Sequence, residues 1–164
     1  MHAPIPSLPD LSLPVGLAPM AALTDPPFRK TLALFSPPGW MVTEMISVEA
    51  IARHNRNTLR MMEADRLPVP QWVQLFGARP QTFAFAARWV ESHTGYSGID
   101  LNMGCPVPKV TKREGGAGLL RNPDLMVAII RAVREACSLP VSVKIRLGWD
   151  QVTFPNWLPR LEEA

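Results

Sequence analysis

Short apolar runs recur along the chain, with amphipathic segments between them. Residues 15–18, 40–43, 72–76, 98–101 and 141–145 are the clearest runs. Their length and their Gly, Pro and polar flanks predict buried strands. Between the last two runs the period changes. Leu125, Met126, Ile129, Ile130 and Val133 recur at helical spacing, with Arg131 and Arg134 on the other side. Asn122 is placed to cap this helix, Pro123 suits its first turn, and Asp124 complements its dipole. Phe83, Ala84, Ala87 and Val90 predict a second helix over residues 80–92, and residues 158–164 a third. There is no internal repeat and no low-complexity tract.

Strands alternating with helices predict an α/β fold with a parallel sheet. A closed eight-stranded barrel needs roughly 200 residues or more. The 164 residues here therefore correspond either to an open α/β domain or to the first part of a barrel.

Side chains alternate along a strand, so each run has two faces. Val141, Val143 and Ile145 face covering helices, and Ser142, Lys144 and Arg146 face the opposite way. The same parity turns Asp100 and Asn102 inward and Ile99 and Leu101 outward. Gln74 is the lone polar side chain in its apolar run. Three strands thus aim polar groups at one end of the sheet. The next residues after the fourth strand are Asn102-Met103-Gly104-Cys105-Pro106. They put a thiol on a loop past a strand's carboxyl end, where α/β folds carry chemistry.

Other features read more plainly. Cys137, at the end of an amphipathic helix, is expected to be packing. Lys109-Val110-Thr111-Lys112-Arg113 is a basic stretch able to meet phosphates or simply a solvated loop. Gly115-Gly116-Ala117-Gly118 fits a tight turn and no nucleotide fingerprint. Arg53-His54-Asn55-Arg56 is expected to be a polar helix face. The three histidines have no metal-ligand spacing, and no metal is expected.

Composition narrows the class. Hydrophobic residues make up 47% and the formal net charge is +3; mean hydropathy is +0.04 and the pI about 9.2. A mildly basic globular protein permits an RNA partner without requiring one. Two cysteines make no disulfide framework, so a reducing, cytoplasmic setting is expected. Residues 1–14 lack the basic and apolar regions of a secretory signal, and no apolar run approaches the roughly 18 residues of a membrane span.

Several segments together resemble the tRNA-dihydrouridine synthase family of flavoenzymes. They are Leu17-Ala18-Pro19-Met20-Ala21 with Thr24-Asp25, Thr43-Glu44-Met45, Val73-Gln74-Leu75-Phe76-Gly77, and Asp100 through Pro106. Lys109-Val110, the stretch from Gly115 to Leu120, and Val143-Lys144-Ile145-Arg146-Leu147-Gly148-Trp149 complete the set. They occur in the family's order, over roughly residues 13–150.

The resemblance implies a TIM (β/α)8 barrel, of which this chain covers about the first five β/α units. Residues 1–12 would be an N-terminal extension and 13–164 a partial catalytic barrel. It implies reduction of uridine in tRNA to dihydrouridine, with FMN as cofactor and NADPH as reductant. Carried over by position, Pro19, Met20 and Ala21 cradle the flavin. Gln74 bonds the isoalloxazine, and Lys144 sits near its pyrimidine end, where positive charge stabilises the reduced ring. Asn102 orients flavin or uracil, Lys109 contacts the RNA, and Cys105 is the proton donor. An ordinary thiol titrates near 8.5, so at neutral pH it carries a proton to give.

The later strands, a His-x-Arg segment, the flavin-phosphate loops and the helical tRNA-binding domain of the family have no counterpart here. The expectation is an incomplete gene product, a fragment, or half of an oligomeric assembly, with an open barrel edge prone to association. Two alternatives share many of these features: another FMN barrel oxidoreductase acting on a small pyrimidine-like substrate, and a truncated module that binds RNA or a partner without flavin.

Overall fold

The computed structural model describes residues 15–62 and 67–164. The N-terminal extension expected over residues 1–12 lies outside the described residues.

Among the described residues, five strands form one sheet: β1 Gly16–Leu17, β2 Trp40–Ser47, β3 Gln71–Phe76, β4 Gly98–Met103 and β5 Val141–Ile145. The helices are α1 Pro26–Phe35, α2 Val48–Ala52, α3 Arg56–Met61, α4 Pro80–His93, α5 Pro108–Thr111, α6 Pro123–Ala136 and α7 Phe154–Glu162. A 3-10 turn, Gly116–Arg121, precedes α6. The strand order is β1-β2-β3-β4-β5 and every neighbouring pair is parallel. A doubly wound sheet would reverse its order at a switch point. Sequential parallel order with intervening helices is that of the first β/α units of a TIM barrel.

The outward faces of β3 and β4 make the core. Val73, Leu75, Ile99, Leu101 and Met103 are buried with Phe83, Ala86, Ala87 and Val90 of α4 and Met126, Ile129, Ile130 and Val133 of α6. Burying each large side chain contributes about 1.5–3 kcal/mol, so this layer fixes which face of the sheet meets the helices. The Asn122 side chain accepts the Leu125 N–H at 3.1 Å and begins α6 as expected. Asp25 caps α1 in the same way, accepting from Phe28 N–H at 2.9 Å.

Four local expectations change. β2 continues to Ser47, because an irregularity between Val42 and Met45 absorbs the polar pair Thr43-Glu44 that breaks the apolar run. Residues 53–55 are a turn, not a helix face: Arg53 ends α2, His54 has φ +50°, Asn55 caps α3, and Arg56 is the first residue of α3. The last helix begins at Phe154, with Pro155 in its first turn. The run Gly115 to Gly118 enters a buried 3-10 turn.

On the inner face, two tryptophans lie across glycines of neighbouring strands. Gly16 pairs with Trp40, and Trp72 with Gly98. A Cβ on Gly98 would come within 2.6 Å of the Trp72 ring, and one on Gly16 within 2.0 Å of the Trp40 ring. Only a residue without a side chain leaves room for the indole. Gly98→Ala is therefore expected to cost about 1–3 kcal/mol through overpacking. The check is a lower urea midpoint at unchanged slope; an unchanged midpoint would show that the ring moves aside freely.

Candidate active site at the carboxyl ends of the strands

Register builds the site. Gln74 pairs with Asp100, Asp100 with Ser142, and Asn102 with Lys144. Because the strands are parallel and in phase, their inward side chains fall into rows across the sheet.

These side chains form one continuous chain of hydrogen bonds. Ser142 Oγ donates to Asp100 Oδ1 at 2.6 Å. Gln74 Nε2 donates to Asp100 Oδ2, also at 2.6 Å. Asn102 Nδ2 donates to Gln74 Oε1 at 2.9 Å. Asn102 Oδ1 then accepts the backbone N–H groups of Gly104 at 3.2 Å and Cys105 at 2.9 Å. Gln74, Asp100 and Asn102 are all buried. Burial pushes the Asp100 carboxyl above its ordinary value, against the opposing pull of the Ser142 and Gln74 hydrogen bonds and the Lys144 charge.

Cys105 is half-buried on the loop after β4. Three elements hold that loop. Asn102 takes its N–H groups, Arg146 Nε donates to Gly104 O at 2.7 Å, and Ala117 N–H donates to Cys105 O at 2.9 Å. The last contact requires close approach by Gly116, whose φ is +55°; a Cβ there would lie 2.6 Å from Cys105 O. The glycine run thus serves the cysteine loop. Cys137 is half-buried at the end of α6, with Sγ 3.5 Å from Val133 O, and burial pushes its thiol up.

Beside the polar chain lies a cleft of about 360 Å³, lined by Gly16, Ala18, Pro19, Trp40, Val42, Trp72, Asp100, Ser142, Val143 and Lys144. Of the three residues expected to cradle flavin, Pro19 lines this cleft. Met20 and Ala21 follow in an exposed turn, where Met20 O accepts from Leu23 and Thr24 N–H groups at 3.1 and 3.0 Å. Glu44 accepts the Ala22 N–H and ties this turn to β2. Lys144 is exposed at the rim, and Lys109 is exposed on α5. Small residues and tryptophan rings on the walls, with an ammonium at the mouth, fit a flat heteroaromatic ring that gains negative charge. Gln74 keeps a second amide hydrogen, and Asn102 has both ends of its amide engaged.

The structure thus joins Gln74 to Asn102 and Asn102 to the Cys105 backbone, and sets Pro19 and Lys144 on one cleft. Met20, Ala21, Gln74, Asn102, Cys105 and Lys109 do not line it. Thr43, Glu44, Gly116, Ser142 and Arg146 carry structural roles that the sequence reading did not assign. Thr43 Oγ1 accepts the Gln74 N–H at 3.1 Å and donates to Glu44 O at 2.7 Å. The polar pair inside an apolar run was the available signal for it. Among the described residues, no three His, Cys, Asp or Glu side chains gather as a metal-binding group, and no helix is long and apolar enough to cross a membrane.

Comparison with known proteins agrees with this geometry. Residues 16–156 match the family described as Dihydrouridine synthase (Dus). The chain is 39% identical over 149 residues to a probable tRNA-dihydrouridine synthase 1 of Synechocystis, covering 90% of this chain and 41% of that protein. It is 42% identical over 134 residues to tRNA-dihydrouridine synthase B of Proteus vulgaris, covering 81% and 41%. A probable tRNA-dihydrouridine synthase of Rhodobacter capsulatus is 43% identical over 142 residues, covering 86% and 43%. The chain spans about two fifths of the length of these curated relatives. With the match running from β1 into α7, the chain belongs to the dihydrouridine synthase family.

Proposed function

We propose that the complete protein reduces specific uridines of tRNA to dihydrouridine, with FMN bound in the cleft beside Lys144 and NADPH as the reductant. The observation that carries this reading is the Cys105 loop, held by a buried polar chain whose Asn102 is the register partner of Lys144. The relatives are tRNA-dihydrouridine synthases by name, which supports tRNA as the substrate class. Such a substrate implies action in the cytoplasm.

When bound, the reduced flavin supplies a hydride to uracil C6. The residues of this chain do the rest. Reduction at C6 leaves electron density at C5, which needs a proton. Cys105 gives that proton from its thiol and regains one from water, so the base gains one hydride and one proton in total. A half-buried loop thiol is both reachable by a base and partly shielded from solvent. Lys144 holds positive charge at the mouth of the cleft. Gln74 holds Asp100, which lines the cleft, and Pro19 packs on the ring from the loop after β1.

A uridine stacked in folded RNA does not reach such a cleft. The base must be splayed out, and its phosphates held nearby. Lys109 and Arg113 are exposed on and just after α5, directly beyond the cysteine loop. Their charges suit the displaced strand.

Deleting the gene is expected to remove dihydrouridine from at least one tRNA position, measured by mass spectrometry of digested tRNA; an unchanged content would refute the assignment. In the full-length protein, Cys105→Ala should keep its flavin absorbance and lose about 10²-fold or more in tRNA reduction, the usual contribution of a general acid. Full turnover at neutral pH would remove Cys105 from the mechanism. Lys144→Ala should release flavin more readily or slow its reduction by NADPH. Wild-type values for both would refute its placement at the ring.

A further inference from the structure

We propose that Asp100, seated by Ser142, is a positioning residue for Cys105, acting through the amides of Gln74 and Asn102. The inference rests on Cys105 being the proton donor. It adds two residues that share a wall of the cleft and make no hydrogen bond to the thiol.

The argument is one of hydrogen-bond direction. A side-chain amide has the same shape whichever way it is turned, but its two ends have opposite hydrogen-bonding character. Asp100 removes the ambiguity. An ionised carboxylate only accepts, so the Gln74 end 2.6 Å from Oδ2 must be the NH2 group. The Gln74 oxygen then faces Asn102, which must answer with its own NH2 group at 2.9 Å. That leaves the Asn102 oxygen facing the N–H groups of Gly104 and Cys105, the only end that suits two donors. Ser142 holds the other carboxylate oxygen at 2.6 Å and so fixes the plane of Asp100. Thr43 anchors Gln74 by its backbone.

Burial makes the direction matter. Gln74 is 2% exposed, Asp100 6% and Asn102 8%. Little water is available to replace a lost partner, and an unsatisfied buried amide is costly. If the acceptor at position 100 is lost, Gln74 is free to turn and Asn102 with it. Asn102 would then present NH2 to two backbone N–H groups, and the loop would open away from them.

The test uses the full-length protein labelled with [15N]cysteine, with Cys105→Ser identifying the signal. Hydrogen exchange at the Cys105 amide reads the last bond of the chain directly, without reference to activity. Asp100→Leu matches Asp in size and lacks an acceptor. It should speed that exchange roughly 3- to 10-fold, the equivalent of one hydrogen bond. It should also lower kcat for tRNA reduction about 10-fold or more, with KM for tRNA within about twofold, as expected for a misplaced reacting group. Asp100→Asn keeps an oxygen for Gln74 and can offer its NH2 to the Ser142 hydroxyl, which accepts as well as donates. It should keep slow exchange and most of the turnover. Should Asp100→Leu fail to fold, Asp100→Asn is compared with Asp100→Asn/Ser142→Ala, which removes the partner that fixes the new amide and should exchange faster. Wild-type exchange in folded Asp100→Leu, or in the double variant, would overturn the proposal. So would Asp100→Asn exchanging as fast as Asp100→Leu. Normal turnover by Cys105→Ala would instead overturn the catalytic reading of the thiol, while the exchange rates would still decide whether the chain sets the loop.

Discussion

Parallel pairing of β3, β4 and β5 puts Gln74, Asp100 and Ser142 in one row across the sheet and Asn102 and Lys144 in the next. The site depends on that phase. A slip of one residue in β4 would turn Asp100 and Asn102 toward the helices and bring Ile99 and Leu101 inward. The slip is opposed by the apolar layer beneath, where Val73, Leu75, Ile99 and Leu101 are fully buried with α4 and α6. Stability and chemistry are thus divided between two faces of the same strands. The core chooses the register, and the register assembles the polar row.

That row is costly to bury and is retained because its members satisfy one another. Asp100 alone would be a poorly solvated carboxylate, and its raised pKa reflects this. Two short hydrogen bonds, from Ser142 and Gln74, offset the penalty without eliminating it. Networks of this kind are stable when complete and worse than an apolar core when one member is missing. Each residue therefore holds the next in a single orientation. The inner face below the row is treated differently. There Trp40 and Trp72 fill space over Gly16 and Gly98 with no polar demand beyond the indole N–H.

The architecture was legible because it rests on period and spacing. Five apolar runs and the capped helix at Asn122 translate directly into strands, a helix and a parallel sheet. Strand parity also predicted the common side of Gln74, Asp100, Asn102 and Lys144, since alternation is a property of backbone geometry. What parity could not predict was which groups would meet. The contact between Asn102 and the Gly104 and Cys105 N–H groups arises from a turn, and Arg146 reaches Gly104 from another strand. Thr43 and Glu44 looked like the end of β2 because polar residues interrupted its apolar run. In the fold they sit at an irregularity where one anchors Gln74 and the other holds the turn after Pro19. The turn at His54 was hidden because its residues are as compatible with a helix face as with a left-handed link.

The two halves of the proposed chemistry differ in what supports them. The proton-delivery side is locally complete. Cys105 is held by Asn102, its preceding glycine by Arg146, and its carbonyl by Ala117. All of those contacts lie between β4 and the residue after β5. The ring-binding side draws instead on strands at both margins of the sheet, with Gly16, Ala18 and Pro19 from β1 and its following loop, and Ser142, Val143 and Lys144 from β5. Its shape depends on how far β1 and β5 stand apart across the intervening strands. A change in sheet curvature would therefore alter the cleft much more than the cysteine loop. Geometry at the thiol is set by a turn and its hydrogen bonds, and geometry at the cofactor by the whole sheet.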